Sequence, residues 1–105
     1  MILVTTESIA GREIEKVLGL VRGSTVRGAP ATEDVQAWFK NVVGGEIDEY
    51  TKLLAESREQ ALDRLIAEAR ARGADAVVGL RLTSSEITDG AAEILAYGTA
   101  VKLRA

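Results

Sequence analysis

The stretch Gly73-Ala74-Asp75-Ala76-Val77-Val78-Gly79-Leu80 (GADAVVGL) follows directly on a long charged segment and holds one ionisable side chain among small and apolar ones. It marks a change of structure. Arg70 and Arg72 precede it, placed to suit the negative end of a helix dipole, and Gly73 supplies a left-handed residue just past a helix end. Asp75 is a turn residue whose carboxylate can accept backbone hydrogen bonds, and Ala76 to Leu82 is apolar enough for a central strand. The segment therefore reads as helix stop, turn and strand, with side chains small enough for helix and strand to pack closely.

Upstream, Glu46 to Arg72 reads as one helix, about 40 Å long at ~1.5 Å per residue. A compact domain of this size has a radius of gyration of about 13 Å, so such a helix projects or serves an assembly. Its apolar stripe holds Ile47, Tyr50, Leu54, Ala61, Leu62, Leu65, Ile66 and Ala69, with Lys52, Glu56, Glu59, Asp63 and Arg70 on the far side. Arg58 is the exception. At 100° per residue it falls inside the stripe, between Leu54 and Leu62, where an unpaired charge is costly to bury. Gly44-Gly45 separates this helix from an earlier one with Thr32 as N-cap and Glu33 and Asp34 at its positive end. In that earlier helix Val35, Trp38, Phe39 and Val42 form one apolar face, read as core.

The strands frame these helices. Ile2-Leu3-Val4-Thr5 is a short β-branched first strand, and Ile14 to Val26 is a long second one. In the second, Ile14, Lys16, Leu18, Leu20 and Arg22 share one face, and Val17, Gly19, Val21 and Gly23 the other. Glycines at 19 and 23 point to a bulge or a close backbone approach, so the strand bends or pairs with two neighbours in succession. Beyond Leu82, the span Thr83 to Ala91, with Asp89-Gly90 as its turn signal, leads to a last strand from Ala92 to Leu103.

With 105 residues, 47% hydrophobic and 28% charged, the chain has the balance of one soluble globular domain, 1–105. A net charge of −3 gives no general attraction to phosphate backbones, which speaks against nucleic acid as partner. No apolar run approaches the roughly 18 residues of a membrane span and no basic-then-apolar leader opens the chain, so the expected location is the cytoplasm and no membrane partner is expected. Cysteine and histidine are both absent. That removes thiolate nucleophiles, imidazole bases and the soft or borderline metal ligands together.

Little catalytic chemistry is left. Gly23-Ser24-Thr25-Val26-Arg27-Gly28 has the glycine spacing of a phosphate loop, but Ala29-Pro30 stand where Lys and Ser or Thr are required. Ser24, Ser84 and Ser85 have no histidine to activate them. The acidic pairs Glu33-Asp34 and Asp48-Glu49 read as solvated partners of helix dipoles, and the pairs Asp48/Lys52, Arg64/Glu68 and Glu68/Arg72 as support for an exposed helix. Neither a catalytic residue, a metal ligand nor a cofactor is assigned. Arg58 is the one site candidate: it meets a carboxylate across a subunit contact, or it faces a pocket that receives an anion.

Val42-Val43-Gly44-Gly45, Tyr50, Lys52, Arg58-Glu59, Ala61, Ala69-Arg70, the GADAVVG run and Gly98-Thr99-Ala100-Val101-Lys102 together give a resemblance to the YbjQ-like family of small bacterial and archaeal proteins. Thr5-Thr6, Gly11 and Gly19 also fit, and the likeness covers nearly the whole chain. The resemblance implies an α+β subunit with a small antiparallel sheet and helices on one face, in β-β-α-α-β-β order, of the YbjQ-like or dodecin-subunit-like kind. It further implies assembly as a ring, typically a homopentamer, and a heavy-metal-binding label attached to the family. The leading expectation is a cytoplasmic homo-oligomeric binding protein, not an enzyme, with pockets for a small ligand or ion between subunits. The alternatives are a structural or interaction module with Arg58 as a buried ion-pair partner, and then a carboxylate- or hard-metal-dependent enzyme.

Overall fold

The computed structural model describes residues 1–28, 47–88 and 91–105. Within them the order is β1 (Ile2–Leu3), β2 (Ile14–Gly28), α1 (Ile47–Ala71), β3 (Ala76–Thr88) and β4 (Ala91–Leu103). The strands form one sheet in the order β1-β3-β4-β2. β2 and β3 both run antiparallel to β4, whereas β1 lies parallel to β3, so the sheet is mixed and not antiparallel as expected. The expected helix starting at Thr32, the Gly44-Gly45 break and the Asp89-Gly90 turn lie outside the described residues.

The GADAVVGL reading holds in its parts. Gly73 has φ +76°, a conformation that costs a glycine little, and the chain turns there out of α1. Asp75 accepts a hydrogen bond from the Leu103 amide at 2.8 Å, so the turn is tied to the far end of β4. Ala76 and Val77 lie between β1 and β4, and Val77 is fully buried. The span from Thr83, read as a connection, instead continues β3 to Thr88, where it pairs with Ala91 at the start of β4. Polar residues such as Thr83, Ser84 and Ser85 sit in a strand there because the hairpin with β4 supplies their backbone partners.

β2 pairs with β4 from Ile14↔Leu103 to Gly28↔Ala91, so among the described residues it has one partner along its whole length and not two in succession. The register shifts between Val17 and Gly19, at a glycine with φ +107°, as the glycine spacing foretold. This bulge also reverses the facing of Val17 and Leu18 just before it. Leu18 packs against the same cluster as Val21, while Val17 is exposed, the opposite of simple alternation.

Two apolar clusters use the two faces of the sheet. Val21, Ala61, Leu65, Ala69, Val77, Ile94, Ala96 and Ala100 form the larger one, between sheet and helix. Ala76, Val78, Val101 and Leu103 form the smaller one on the opposite face, covered by Val4, Ile9 and Ile14. The segment after β1 reaches that position by backbone hydrogen bonds from Val4 to Val77 and from Leu80 to Val4, both at 3.0 Å. Alanines at 61, 69, 96 and 100 bring helix and sheet close, and Gly23 closes the gap. A Cβ placed on Gly23 would lie 2.2 Å from the Ala61 carbonyl oxygen and 2.4 Å from the Leu65 nitrogen.

The outer edge of β2 is closed by charged side chains of α1. The Arg72 guanidinium donates to the Leu18 carbonyl, the Glu68 carboxylate accepts from the Arg22 amide at 3.1 Å, and the Arg64 guanidinium donates to the Ser24 carbonyl. Arg72 and Glu68 are themselves paired at 3.0 Å. These residues, legible in the sequence as ordinary helix-surface pairs, occupy backbone groups that an edge strand otherwise leaves free.

Two outcomes follow. Gly23→Ala is expected to lower unfolding free energy by about 3 kcal/mol, measured by urea denaturation, because backbone and not a flexible side chain occupies the space. Glu68→Ala is expected to speed hydrogen exchange of the Arg22 amide, by NMR, with little change at Val21 and Gly23.

Candidate functional site

The buried ridge of α1 is Ala61, Leu65 and Ala69, with Ser57 continuing it at 1% exposure. Ser57 takes the inward position one turn before Ala61, and its hydroxyl is satisfied by donating to the Leu53 carbonyl at 2.8 Å. Leu54, Leu62 and Ile66 flank the ridge, half-buried. Arg58 therefore lies at the margin of the stripe and is exposed, so its charge is not buried. The helix stripe alone could not place it there, because Ser57 carries no apolar signal.

On that margin the helix and sheet diverge. α1 lies chiefly over β2 and β4 and barely meets β3. Among the described residues, α1 does not cover the face of β3 beside it. Leu82 pairs with Ala96 and Ser84 with Ile94, and Ala96 and Ile94 belong to the cluster under the helix, so Leu82 and Ser84 share that face. Leu82 is nevertheless 45% exposed. The result is an open cavity of about 270 Å³ lined by Thr51, Leu54, Arg58, Leu82, Thr83, Ser84 and Ile94.

Among the described residues, Arg58 is the only charged residue in this lining. Among the described residues it makes neither an ion pair nor a hydrogen bond, while Arg64, Arg72, Arg81 and Arg104 all have partners. The lining thus combines a free guanidinium, hydroxyl-bearing residues and apolar side chains. Sequence reasoning found Arg58 but missed Leu82, Ser84 and Ile94. Their signal was the alternation of β3 and β4, obscured because Thr83 onward has the polarity of a connection.

Next to the cavity is a second polar anomaly. Thr25 pairs with the cavity residue Ile94, is 3% exposed, and its hydroxyl has no hydrogen-bond partner. Among the described residues no three His, Cys, Asp or Glu side chains gather as metal ligands, and no described helix is long and apolar enough to cross a membrane.

Thr25→Val keeps the shape and removes the orphaned hydroxyl. It is expected to raise stability by about 1 kcal/mol in urea denaturation.

A family model described as "Putative heavy-metal-binding" matches residues 1–104. A UPF0145 protein of Clostridioides difficile is 52% identical over 98% of this chain and 92% of its own length. One from Archaeoglobus fulgidus is 53% identical, over 99% of this chain and 96% of its own. One from Photobacterium profundum is 55% identical, over 98% of this chain and all of its own. None of these names denotes an enzymatic activity. A crystal structure from Pediococcus pentosaceus, of a protein with unknown function in the DUF74 family, superposes with a TM-score of 0.68 at 17% identity, covering 99% of this chain and 98% of that one, and so shares the fold. The chain belongs to the YbjQ-like family.

Proposed function

We propose that this YbjQ-like protein is a non-catalytic, homo-oligomeric binding protein of the cytoplasm, in which the Arg58 cavity takes a small anion and a ring of five subunits completes the site. The carrying observation is an exposed guanidinium at a cavity whose described lining holds no carboxylate. Such a group is a ready donor for an anion.

Support for assembly comes from apolar surface. Leu20 and Val26 are 56% and 59% exposed on β2, on the sheet face away from α1, with Tyr97 exposed beside them on β4. Leu82 and Ile87 are exposed along the part of β3 beyond its pairing with β1. Apolar surface of this kind fits burial against further copies of the chain. Because Arg64, Glu68 and Arg72 occupy the middle of the β2 edge, contacts through the open sheet face and the β3 edge suit the ring better than strand addition at β2.

The family's metal label does not fit the donor set of this chain. Heavy, soft metals select thiolate and imidazole ligands, and the sequence holds no Cys or His. The Arg58 cavity carries the wrong charge for any cation. The non-catalytic reading rests on the same composition, together with a cavity whose described lining holds no paired carboxylates that could divide acid and base roles.

Native mass spectrometry of the full chain is expected to give the mass of five subunits with retained small anions. Arg58→Ala is expected to keep the assembly and lose the anions. A monomer would remove the ring, and a pentamer that falls apart on Arg58→Ala would make Arg58 an intersubunit ion-pair partner instead.

A further inference from the structure

We infer that the anion taken by the Arg58 cavity is a small monocarboxylate carrying a short apolar tail. The inference rests on the anion-binding reading above and adds the chemical class.

The charge of the site sets the head group. One guanidinium faces the cavity, with no second cation and no acid in the described lining, so a single negative charge is matched and a dianion is left half-compensated. The planar fork of a guanidinium fits the two oxygens of a carboxylate. Thr51 on α1 and Ser84 on β3 add hydroxyls from the two walls. A phosphate dianion, by contrast, is ordinarily held by several backbone amides or several cations, and the described lining offers neither a glycine-rich loop nor a second basic side chain.

The apolar part of the lining sets the tail. Leu54, Leu82 and Ile94 come from helix, β3 and β4 in turn, so the cavity has an apolar side chain on every wall. A strongly hydrated ion with no tail would leave these surfaces wet and gain nothing from them. At about 270 Å³ the cavity is below the range of about 300–1,000 Å³ typical of drug-sized ligands, and among the described residues its lining holds no aromatic side chain to stack a base or ring. A chain of a few carbons ending in a carboxylate meets all of these conditions.

The test uses the full-length protein, NMR titration of the Thr51 and Ser84 amides, and four probes: butyrate, acetate, butyramide and inorganic phosphate. Butyrate is expected to saturate these shifts, with butyramide about tenfold weaker or worse because it lacks the charge. Acetate is expected to bind more weakly than butyrate, and Leu82→Asn to erase that difference. Arg58→Gln, checked for folding by circular dichroism, is expected to weaken butyrate about tenfold or more, with Arg58→Lys intermediate. Equal binding of butyramide and butyrate overturns the inference. So does Arg58-dependent binding of phosphate without butyrate, although the anion cavity then stands. No shift with either anion at tens of millimolar overturns both the inference and the anion-binding reading.

Discussion

At Gly23 the backbone of α1 rests on the backbone of β2, with no side chain between them, and the remaining packing is arranged around that contact. A helix held so close needs small residues on both sides. Ala61 and Ala69 supply them on the helix, Ala96 and Ala100 on β4. The core is consequently thin, and larger side chains such as Leu65 and Val21 fill the space to either side. Helix and sheet usually stand apart by the width of their side chains. Here the separation falls to near atomic contact over one strand, which fixes the helix laterally as well as in depth.

That lateral position accounts for both the closed edge and the open cavity. Drawn toward β2, the helix brings Arg64, Glu68 and Arg72 over the strand's outer backbone groups. The same placement moves it away from β3, leaving Leu82 and Ser84 exposed beside it and Arg58 at the lip of a gap. Edge protection and candidate site are thus opposite sides of one displacement. An exposed charge on a helix margin costs little, so Arg58 is tolerated without a partner among the described residues, where a fully buried position would have demanded one.

Much of the architecture was legible in the sequence. The helix bounds, its stop at Gly73, the bulge at Gly19 and the close approach at Gly23 follow from local chemistry, because glycine and the dipole-matched arginines have few other uses at those places. The parallel pairing of β1 was not legible, since two residues carry no directional signal. The length of β3 was hidden because Thr83 to Glu86 have the polarity of a loop and become strand through pairing with β4. Arg58 was found from helical periodicity, but its exposure was not, because the inward place belongs to Ser57, whose hydroxyl is satisfied within its own helix. The rest of the cavity depended on which strand the helix leaves bare, a tertiary fact that periodicity alone does not carry.

The pairing of β2 with β4 also sets the order in which this molecule can be made. Ile14 meets Leu103 and Gly28 meets Ala91, so among the described residues the longest early strand has its only sheet partner in the latest one. At roughly 5–20 residues per second of synthesis, β2 and α1 emerge seconds before β4 exists to complete the sheet. The contacts that Arg64, Glu68 and Arg72 of α1 make with the outer backbone groups of β2 involve no β4 residue. The side chains that guard the finished edge are therefore also those available to guard the nascent one.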